Sequence, residues 1–121
     1  MLRIYRGNHL ALPRGDTALL RVQIAGAQLG DADRAVFAVY DRFEERELLR
    51  KTAAISGGAA AFALKNADTK DIAPGRYRYD VRVVRDPVYE AGEIAGGREV
   101  HSLFAAGGLP AIDIEEVGAH V

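Results

Sequence analysis

The chain contains no cysteine and no tryptophan. The first absence removes at once a disulfide framework, a thiolate metal site and a cysteine nucleophile. Proline is scarce, with four residues in 121, and no apolar run approaches the length that crosses a bilayer. Pro13 and Gly15 interrupt the opening residues before an apolar stretch of signal-sequence length develops. The chain is therefore expected to be made in the cytosol and to have no membrane partner. A surplus of one charge is also missing. Sixteen basic residues stand against seventeen acidic ones, and the arginines are spread along the chain, so the concentrated basic face used for nucleic acid is not expected.

What is present is an ordinary globular composition, 49% hydrophobic and 27% charged. A chain of 121 residues can bury one core without metals or disulfides, so a single domain over residues 1–121 is expected. Thirteen glycines fall mostly between short apolar segments, where they reverse the chain. That spacing predicts an all-β protein, an immunoglobulin-like β-sandwich of about seven to nine antiparallel strands with at most one short helical turn before Pro74.

The strands read in order. Residues 2–6 and 9–12 flank Arg6-Gly7-Asn8, and 17–25 alternate with Leu20, Val22 and Ile24 on one face. Residues 34–41 are apolar on both faces, which predicts a central strand. The charged run 42–47 reads as a loop with room for one helical turn, and Gly57-Gly58 joins two strands, 48–55 and 59–64, as a hairpin. Asn66 and Asp68 suit a helical turn, and Ala73-Pro74-Gly75-Arg76 suits a type II turn. After it Tyr77, Tyr79, Val81 and Val83 share the inner face while Arg76, Arg78, Asp80 and Arg82 form an outward row. Asp86-Pro87 predicts a further turn, Gly96-Gly97 a second hairpin between 88–94 and 98–104, and 109–117 a last extended run.

Few residues arrange themselves for chemistry. His9, His101 and His120 are far apart and lack metal-ligand spacing, and neither Ser56 nor Ser102 has the glycine context of a nucleophile elbow. Asp31 and Asp33 form an Asp-x-Asp pair that, with Asp16 or Asp41, offers a weak calcium site; loop aspartates serving turns are the simpler reading. No phosphate-binding loop is written, so neither a cofactor nor an enzymatic activity is expected. Tyr77 and Tyr79, beside arginines, invite a stacking platform, but their alternation with valines predicts core packing. Tyr77, just past the Pro74-Gly75 turn, suits a tyrosine corner, its hydroxyl tying back to the preceding backbone.

The order Gly15-Asp16-Thr17, the strand Val36 to Asp41, Lys51 to Ile55, Gly57-Gly58, Phe62 to Leu64, Asp68-Thr69 and then Pro74-Gly75-Arg76-Tyr77-Arg78-Tyr79-Asp80-Val81 resembles the immunoglobulin-like domain at the N-terminus of phage baseplate upper proteins and related small tail or neck components of phages and prophages. The resemblance spans roughly residues 15–104, and the segment after Gly107 departs from the usual final strand. It implies a domain that attaches to a virion by protein–protein assembly, with other virion or tail proteins as partners, a possible homo-oligomer, and the virion as final location. The outward row of Arg76, Arg78, Asp80 and Arg82 is then the expected interaction face. The alternative is a carbohydrate- or other ligand-binding sandwich using loop carboxylates and the aromatics Tyr5, Phe43 and Tyr89.

Overall fold

A computed structural model describes residues 1–24, 29–104 and 107–116. It is all-β. Among the described residues nine strands run β1 (Arg3–Tyr5), β2 (His9–Pro13), β3 (Ala18–Gln23), β4 (Arg34–Tyr40), β5 (Glu47–Ser56), β6 (Ala59–Leu64), β7 (Gly75–Glu90), β8 (Glu93–Ser102) and β9 (Ala111–Glu115). The helical content is a 3₁₀ turn at Arg6–Asn8 and one turn, α1 (Asn66–Thr69), placed before Pro74 as the sequence predicts. Among the described residues no helix is long and apolar enough to cross a membrane.

The strands follow one path, β1-β2-β9-β7-β4-β5-β6-β3, curled into a half-barrel, with β8 attached to β7. Two walls result. The order β9-β7-β4 in one and β3-β6-β5 in the other is the strand order of an immunoglobulin sandwich. One pair departs from the antiparallel expectation: β2 runs parallel to β9, Leu10 to Pro13 beside Ile112 to Glu115. This places β9 inside the sheet, between β2 and β7, so the segment after Gly107 does supply a final strand. Ala25 to Gln28, Val117 and His120 lie outside the described residues.

Between the walls sits a core of alternate residues from each strand. Leu20, Phe62 and Leu64 face Leu12, Phe37, Tyr79 and Ile114, all buried. Four rings form a chain through it, Phe62 to Phe37 at 5.7 Å, Phe37 to Tyr79 at 5.6 Å, and Tyr79 to Phe104 at 5.6 Å between centroids. Offset and edge contacts of this kind add to the burial of the rings themselves. The Tyr79 hydroxyl donates to the Asn8 carbonyl, which fastens the Arg6–Asn8 turn over the core.

Two hairpins show what glycine does here. At Gly57-Gly58 both φ angles are positive, 60° and 73°, the type I′ geometry that a two-residue reversal requires. Gly96-Gly97, predicted as a second hairpin turn, is instead the interior of β8, opposite Val88 and Pro87. The reversal occurs at Ala91-Gly92, again with both φ positive, and Asp86-Pro87 is a kink inside the long β7, with Asp86 at φ 47°. Gly97 is there for closeness: a Cβ on it would come within 2.6 Å of the Arg85 carbonyl and of a Val84 methyl. The turn predicted at Pro74-Gly75 is likewise not type II. Gly75 has φ 157° and already belongs to β7, paired with Ile114.

The two adjacent glycines therefore separate by substitution. Gly97→Ala is expected to cost about 1–3 kcal/mol by overpacking, while Gly96→Ala, which meets nothing within 4 Å, stays within about 0.5 kcal/mol of the parent. Urea denaturation of the two variants checks this, and equal stabilities would refute the packing argument.

Candidate functional site

Strand β5 belongs to both walls. Glu47 to Ala54 pair with β4, and only Ile55 and Ser56 pair with β6, opposite Ala60 and Ala59. From Ala61 onward β6 is laddered to β3 alone. The two strands thus leave their hairpin as a fork, and the facing edges of β5 and β6 carry backbone groups with no ladder partner among the described residues. The cleft between them has a volume of about 660 Å³ and is lined by small side chains, Thr52, Ala54, Ala61 and Ala63 among them, with Arg21, Lys51 and Lys65 around it. Lys51 closes the open end by pairing with Asp68 of α1 at 3.0 Å. Among the described residues, Arg21 and Lys65 form no ion pair.

The mouth of the fork is held by α1. Asp68 accepts the Lys65 N–H at 2.8 Å, the role its position predicts. Asn66 reaches the Gly15 carbonyl and buried Thr69 accepts the Gly15 N–H, each at 2.8 Å, so the β2–β3 turn is stapled to α1. Gly15 has φ 79°, and a Cβ there would meet the Asn66 amide at 2.8 Å.

A second feature projects from the sheet. Beyond the Asp86 kink, β7 and β8 form an arm that folds back until Ile94 packs on Val36 and Val84, outside the main core. Its aim is fixed at the base. Asp33, only 4% exposed, accepts the Asp86 N–H at 2.9 Å through one carboxylate oxygen and the Gly30 N–H at 2.8 Å through the other. Arg98 pairs with the Asp86 carboxylate at 2.7 Å. The arm exposes Val88, Tyr89 and Val100, and among the described residues β8 is laddered only to β7.

The predicted outward row is mostly committed. Arg76 makes a two-pronged contact with Asp113, 2.8 and 3.1 Å, and Asp113 also holds His9 at 2.8 Å. Arg78 donates to the Leu109 carbonyl at 3.4 Å. Asp80 departs from the prediction outright: it is 6% exposed, because the Ser102 hydroxyl of β8 covers it and donates to it, and Arg82 lies 3.8 Å away. The alternation of β7 could not show that a strand from further along would close over its outer face.

The remaining candidates fall as follows. The Tyr77 hydroxyl donates to the Ala73 carbonyl across Pro74 and Gly75, the geometry of a tyrosine corner, and Tyr79, two residues on, is in the core. Asp31 is exposed, Asp33 spends its oxygens on the two amides, and no group of three metal-ligating side chains forms among the described residues. His101 pairs with Glu99 at 2.8 Å. Tyr5, Phe43 and Tyr89 are exposed on β1, on the β4–β5 loop and on the arm. Sequence reasoning missed the fork. Its one written trace is alanine at the outward positions 61 and 63 of β6, where a solvated strand carries polar residues. Comparison of the chain with protein-family models, with curated proteins and with solved structures returns no match.

Asp113, Asp33 and Tyr79 are among the groups that titrate away from their ordinary values. Arg76, ahead of His9, holds the Asp113 carboxyl low, and the Asp86 amide, ahead of Gly30, does the same for Asp33. Burial pushes the Tyr79 hydroxyl up to about 12. A depressed carboxylate stabilises the fold above its unfolded pKa, about 3.9, and loses that contribution as pH falls through the folded value. A raised tyrosine contributes fully below about 10 and loses its contribution as pH rises through its folded value. Denaturation midpoints measured against pH are therefore expected to fall on both limbs. Asp113→Asn should flatten the acid limb alone and Tyr79→Phe the alkaline limb alone; unchanged limbs would contradict the assignment.

Proposed function

We propose that the protein is a non-enzymatic structural component that works by protein–protein assembly, as part of a phage or prophage tail, baseplate or head–tail junction. The observation that carries this reading is the fork, where two strand edges stand without ladder partners beside a cleft of small residues. Open edges of this kind accept a strand from a partner, and soluble proteins ordinarily cover or blunt them. Several polar groups that a reaction would use are spent elsewhere: Ser102 on Asp80, His101 on Glu99 and His9 on Asp113. The virion setting rests on the resemblance of residues 15–104 to phage baseplate and tail domains. A carbohydrate reading would need Tyr5, Phe43 and Tyr89 in one groove, and they stand on three separate elements.

Mass spectrometry of purified particles from the phage or induced prophage that encodes the chain tests the reading. The protein is expected among the particle proteins, with its gene beside morphogenesis genes. Its absence from particles, with a gene set apart from any such genes, would overturn the proposal.

A further inference from the structure

The fork and the arm are complementary to each other. Around the fork, Arg21 and Lys65 are exposed cations without an ion-pair partner among the described residues, and the one carboxylate nearby, Asp68, is taken by Lys51. At the tip of the arm, Glu90 and Glu93 are exposed carboxylates that form no ion pair among the described residues, with Arg50, which donates to the Ile94 carbonyl, near Glu93. The arm as a whole, residues 85–102, carries four carboxylates against two arginines. Shape follows charge. The fork is floored by alanines and offers a shallow apolar bed, whereas the arm presents two large exposed side chains, Val88 at 57% and Tyr89 at 52%. Backbone chemistry matches too: among the described residues no strand lies on the outer side of β8, where the Ile94 carbonyl alone is seen to accept from Arg50, and the fork has two open edges.

We propose that the arm of one copy of this chain seats in the β5–β6 fork of the next. The partner is a second copy, and the contact joins two different surfaces. Val88 and Tyr89 lie on the alanine bed, Glu90 and Glu93 face Arg21 and Lys65, and the free edge of β8 extends one of the open strands by β-addition. Because the contact is heterologous, each copy keeps one fork and one arm to offer, and association proceeds head to tail, closing into a ring or continuing as a filament according to the rotation per step. The arm cannot reach its target by swinging loose, since Asp33, Gly97 and Arg98 fix its base. It is presented already formed, which lowers the ordering cost of association. This deepens the assembly reading above and rests on it.

Charge exchange tests the pairing. Arg21→Glu with Lys65→Glu reverses the fork, and Glu90→Lys with Glu93→Lys reverses the arm; all four residues are exposed, and circular dichroism verifies that each variant is folded. Sedimentation velocity over a concentration series is expected to show salt-sensitive self-association of the parent, since opposite charges at the contact are screened by salt. Each variant alone then places like charges together and should associate at least about tenfold more weakly. An equimolar mixture of the two should recover the parent's association, because every fork then finds an arm of opposite sign. A parent that stays monomeric at millimolar concentration, a variant that associates like the parent, or a mixture that stays monomeric would each overturn the pairing. The outcome is separable from that of the assembly reading: a protein found in particles whose charge exchange fails refutes the pairing alone, and successful exchange by a protein absent from particles refutes the virion setting alone.

Discussion

Two walls that share one strand must be held together mainly by what lies between them. In this fold that bridge is the ring chain from Phe62 through Phe37 and Tyr79 to Phe104, reaching from β6 across β4 and β7 to the segment after β8. An immunoglobulin domain places a disulfide between its second and sixth strands here, with a large aromatic against it. Without cysteine, the chain fills the same place with Leu20, Phe37 and Tyr79. Tyr79 adds what a disulfide lacks, a polar end. Its hydroxyl is satisfied by the Asn8 carbonyl, so the ring that joins the walls also closes the end of the sandwich at the turn before β2.

The polar surface is organised around the same need for order. Asp113, Asp33 and Asp68 each hold two partners at once: Arg76 with His9, the amides of Gly30 and Asp86, and the Lys65 amide with Lys51. Asp33 and Asp68 sit where the chain changes direction, and Asp113 ties Arg76 of β7 to His9 of β2 across the inner strand β9. Isolated surface pairs contribute little, but a carboxylate that fixes a backbone turn acts through geometry as well as charge. The fork is the conspicuous region where this economy stops and cations remain that have no ion-pair partner among the described residues.

Much of the fold was legible in the residues, and the reason is periodicity. The alternation of β7, the two-faced apolarity of β4 and the Gly57-Gly58 reversal are local signals, and they reappear in the structure where the pattern puts them. What was not legible depends on distant contacts. Gly96-Gly97 has the composition of a turn, yet its purpose is set by Arg85 and Val84 lying against it. Asp80 has the spacing of a solvated residue, yet Ser102 covers it from twenty-two residues away. The fork is hidden for the same reason, since nothing in the text of β5 states that it changes walls.

The parallel pairing of β2 with β9 bears on how the fold would resist a pulling force. The two strands run side by side in the same direction over Leu10 to Pro13 and Ile112 to Glu115. Tension entering through β1 would first peel that three-residue strand from β2. Once it reached β2 and left beyond Glu115, the load would act along the strands in opposite senses, and the slanted hydrogen bonds of the parallel ladder would have to shear together instead of opening one by one. The sandwich is thus strung for tension along this axis, with a short fuse at β1 and a clamp behind it.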